Sequence, residues 1–70
     1  MSPDREIFFR CTFSSPRRTA VAHVSAWDAG EAVQLFEVEL QHEGVVERGM
    51  IEVASLTGAL TKRASYKPLH

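Results

Sequence analysis

Residues 19–44 read TAVAHVSAWDAGEAVQLFEVELQHEG, and this stretch decides the fold. Over 19–27 the even positions Ala20, Ala22, Val24 and Ala26 are small and apolar, between Thr19, Val21, His23, Ser25 and Trp27. Alternation with a period of two specifies a strand with one covered face. Alanines let a helix approach closely, so the even face is expected inward. Asp28 stands where a helix N-cap is needed, and Glu31 three residues on makes an acidic capping box. At about 100° per residue Ala29, Ala32, Val33, Phe36 and Leu40 share one helical face. The helix is expected to run to about residue 43, with Gly44 as its left-handed terminator.

Upstream, REIFFRCTF at 5–13 reads as an aromatic-rich strand with Ile7, Phe9, Cys11 and Phe13 on one face. Pro16 punctuates the segment that follows. Downstream, 45–53 predicts a third strand pairing from Glu47, with Ile51 and Val53 inward and Gly49 at a bulge or close approach. A turn around Gly58 leads to LTKRASY at 60–66, whose weak alternation allows a fourth strand. The helical connection makes strand three run parallel to strand two. Strand one, the most apolar, fits between them. The expectation is a single α+β domain, β-β-α-β(-β), with an antiparallel sheet of order 2-1-3-4 and one helix on one face. Residues 1–4 and 67–70 read as flexible ends.

Seventy residues bury too little surface for a large core, so disulfides, a metal or a partner subunit would add stability. Cys11 is the only cysteine, which excludes an internal disulfide and fits a reducing compartment or at most an intermolecular bridge. No apolar run approaches a membrane span and 1–9 carries no signal-peptide pattern, so a cytoplasmic protein with no membrane partner is expected. Net charge is −1 but unevenly spread, since seven carboxylates from Asp28 to Glu52 face one base, Arg48.

Catalytic signals are weak, and an enzyme is not expected. Cys11 lies mid-strand on the inward face, where a buried thiol is inert. His23, His42 and His70 share no metal-ligand spacing, so neither metal nor cofactor is expected. No glycine-rich phosphate loop is present. What remains is surface. One helix covers one face of four strands, which leaves Phe8, Arg10, Val21, His23, Trp27 and Met50 on a second, open face. Leu35, Val38 and His42 fall on the outer face of the helix, at the spacing of a helix-in-groove contact.

The leading expectation is a protein–protein interaction module, a homodimer through the open sheet face or a strand edge, or a module for another protein. A single-stranded nucleic-acid binder ranks second, with Arg17, Arg18, Lys62 and Arg63 around the aromatic face. A small inhibitor docking its acidic helix, through Glu37 and Glu39, on a basic partner ranks third. Trp27 would need no partner if the C-terminal segment folded back over it.

Overall fold

A computed structural model describes residues 6–68. Of the ends read as flexible, 1–4 and 69–70 lie outside them. The elements are β1 (Ile7–Ser14), β2 (Thr19–Ala26), α1 (Ala29–His42), β3 (Gly49–Ser55) and β4 (Thr61–Tyr66). They form one sheet of order β2-β1-β3-β4, antiparallel at every junction. The helix packs across one face of it. This is the expected α+β order, with the optional fourth strand present.

The helix ends are fixed by local chemistry. Asp28 Oδ1 accepts from the Glu31 amide at 2.8 Å, as an N-cap should. Glu31 answers one residue further back than the capping box predicts, accepting from the Trp27 amide at 2.7 Å. At the other end Gly44 takes φ +79°, its amide bonds to the Gln41 carbonyl, and the Val45 amide bonds to the Leu40 carbonyl. These are the two bonds of a Schellman motif, and Leu40 and Val45 are both buried, as its apolar contact requires. Because 43–48 is spent on this stop and the turn after it, the third strand starts at Gly49 and not at Glu47.

The core lies between α1 and the even-numbered face of β2. Phe9, Cys11, Phe13, Ile51 and Val53 come up from the sheet and meet Ala32, Val33, Phe36 and Leu40 from the helix. Each fully buried Phe, Leu or Ile contributes roughly 1.5–3 kcal/mol. Tyr66 closes the β4 side. Its ring stands edge-on to Phe13 at 5.4 Å, and its hydroxyl donates to the Val45 carbonyl at 2.9 Å. Gly49 makes a close approach and no bulge. A Cβ there would sit 2.4 Å from Phe13 Cε1 and 2.5 Å from the Ser14 carbonyl oxygen.

Candidate functional site

The open face is built by the odd positions of β2 and the even positions of β1 and β3. Register sets its rows. Phe8 lies opposite Ser25, Arg10 between His23 and Ala54, Thr12 between Val21 and Glu52, and Ser14 between Thr19 and Met50. From β4, Arg63 sits beside Glu52 and holds it at 3.3 Å. The middle rows therefore carry Arg10, His23, Glu52 and Arg63. Phe8 and Met50 are separated by six strand residues, roughly 20 Å. The residues grouped by sequence as one open face do not make one apolar patch.

One end of the sheet carries a group of large exposed apolar residues. Phe8 and Trp27 are 59% and 49% exposed, and the β3–β4 turn adds Leu56 at 69%. Phe9 pairs with Ser55, so continuing the register one step sets Leu56 opposite Phe8. Trp27 follows Ala26, the last residue of β2, and Glu31 fixes its amide. The C-terminal strand does not fold back over it, because β4 occupies the opposite edge of the sheet. Sequence reading missed Leu56. Its signal was only a leucine between Ser55 and Thr57, in a turn whose neighbour is known once the register is known.

The basic residues do not ring this end. Arg17 and Arg18 sit in the β1–β2 hairpin, beyond Ser14 and thus at the Met50 end. The hairpin is organised by Ser15, whose hydroxyl accepts from the Arg17 and Arg18 amides and donates to Glu47 at 2.6 Å. Arg18 also pairs with Glu47 at 3.3 Å. Lys62 pairs in register with the inward-facing Val53, so it belongs to the helix side, while Arg63 belongs to the open side. Four bases read together as a rim are thus split between the β1–β2 hairpin and the two faces of mid-β4.

On the helix, Leu35, Val38 and His42 are all exposed on the outer side, as their spacing predicts. Glu37 faces the β4 side, and its charge, after burial, helps push the Tyr66 phenol above its usual range. Leu35 stands roughly 160° round the helix from Glu37, toward β2. Glu37 and Glu39 lie on different flanks and do not make one acidic surface.

Cys11 is fully buried, and burial pushes its thiol up to about 11. A thiol held so far above neutrality carries almost no thiolate, and thiolate is the reactive form. Among the described residues, no group of three His, Cys, Asp or Glu is placed to hold a metal ion. No helix of the described residues is long and apolar enough to cross a membrane. No protein-family model, curated protein or solved structure shows a match to this chain.

Proposed function

We propose that this protein is a non-enzymatic interaction module that acts as a homodimer. The observation carrying the reading is that one 14-residue helix covers one side of a four-stranded sheet and leaves the uncharged outer strand β2 only half covered at Ala20, Ala22 and Val24. A small domain gains stability by burying such surface against a second copy. The test is sedimentation equilibrium across a dilution series. The expected result is a mass near twice the 7.8 kDa of the chain at high concentration, falling toward 7.8 kDa on dilution. A constant 7.8 kDa up to millimolar concentration refutes the homodimer.

A second reading is single-stranded nucleic-acid binding by the open face. It is favoured by Arg10, which takes part in neither ion pair of the described residues and lies between His23 and Ala54, one row from Phe8. Base stacking on Phe8 and Trp27 with phosphate contact to Arg10 would quench Trp27 fluorescence in a salt-dependent way. A flat titration with oligo(dT) at low salt removes this reading. The split of the bases between the β1–β2 hairpin and the two faces of β4 ranks it second.

A further inference from the structure

We infer that the homodimer is made by the outer edge of β2, which pairs antiparallel with the β2 edge of a second copy into one eight-stranded sheet. This rests on the homodimer reading above and assigns its surface. Among the described residues both β2 and β4 are edge strands, with backbone groups left without a strand partner on one side. Which groups these are follows from the hairpin. The Ser15 amide bonds to the Arg18 carbonyl, so Ser14 and Thr19 form the next, non-hydrogen-bonded pair. Alternation then turns the amides and carbonyls of Ala20, Ala22, Val24 and Ala26 toward β1. Those of Thr19, Val21, His23 and Ser25 point outward.

Three features make this edge fit a copy of itself. It is eight residues long in one-to-one register with β1, so no bulge bends it away. It contains no Asp, Glu, Lys, Arg or Pro, the residues that ordinarily block edge pairing. Its faces are self-complementary. With Ala22 or His23 at the two-fold axis, even residues meet even residues, and the half-buried Ala20, Ala22 and Val24 gain cover from their own kind. Leu35, half exposed on the β2 side of the helix, adds apolar surface above the same edge. The open face is the poorer interface, because closing it would bury Arg10 and His23 in its middle rows.

Amide hydrogen exchange on the native chain, at low and high protein concentration with the mass measured in parallel, tests this. The expected result is at least tenfold slower exchange of Val21, His23 and Ser25 in the dimer, with Thr61, Arg63 and Ser65 on the other edge unchanged. A doubled mass with fast exchange at Val21, His23 and Ser25 overturns the edge assignment and leaves the homodimer standing. Slowing at Thr61, Arg63 and Ser65 instead also overturns it, in favour of β4. A chain that stays at the monomer mass overturns both.

Discussion

The two edges of the sheet face the same physical problem and answer it differently. β4 is short, six residues, carries Lys62 and Arg63, and is pinned by Tyr66, whose ring and hydroxyl are both engaged in the core. β2 is longer, uncharged and held on one side by β1, with a row of small residues only half covered by the helix. A charged, anchored edge repels further strands; a neutral, regular one accepts them. The molecule defends one side of its sheet and leaves the other available.

The largest effect should come from unpinning the defended edge. Tyr66→Ala removes a fully buried aromatic and is expected to cost about 3–5 kcal/mol, enough to unfold much of a domain this small. Urea unfolding followed by circular dichroism measures it, and a cost under ~1 kcal/mol would show that β4 is not anchored as described.

Next is the alkaline response of the strands behind that edge. Cys11 is raised from 9.0 to about 11 by burial, and Tyr66 is raised by burial and Glu37. Both groups fold neutral, so their contribution is fully present below the unfolded-state values. It is lost as pH rises from about 9 for Cys11 and about 10 for Tyr66 through the folded values. The cysteine alone accounts for a loss of roughly 2–3 kcal/mol. Stability unchanged between pH 8 and 11 in denaturant titrations would contradict this.

Tyr66→Phe is a finer cut. It keeps the ring against Phe13 but leaves the Val45 carbonyl without its donor, an expected loss of about 1–2 kcal/mol. A loss nearer that of the alanine variant would mean the hydroxyl, not the ring, holds β4. The smallest effect belongs to the open face. Phe8→Ser should change stability by less than ~0.5 kcal/mol and leave the native mass as it was. Dissociation by this variant would move the interface from the edge to the face.

The fold was legible because its local signals agreed: alternation in β2, Asp28 and Gly44 at the helix ends, and a 3.6-residue stripe between them. The strand order followed from strand one's apolar character. Tyr66 was not legible, since a lone tyrosine in LTKRASY reads as weak alternation until Phe13 and Val45 are seen around it. The candidate surface was legible only in part. Sequence assigns Phe8, Arg10, Val21, His23 and Met50 to one side of the sheet, but only register shows charged rows between Phe8 and Met50. The bases scattered for a related reason. Arg17, Arg18, Lys62 and Arg63 are close in character and distant in register, and charge counts carry no information about which end or face a residue occupies. An undefended edge is likewise a property of neighbours. The neutral run of β2 means nothing until β2 is known to be outermost.

The contrast between edges reduces to two substitutions of the same kind. His23→Pro and Arg63→Pro each remove an outward-pointing amide, one from β2 and one from β4, at similar local cost. An interface on the β2 edge predicts, by sedimentation equilibrium on folded protein, that His23→Pro is a monomer while Arg63→Pro keeps the dimer mass. A dimeric His23→Pro, or a monomeric Arg63→Pro, would contradict it.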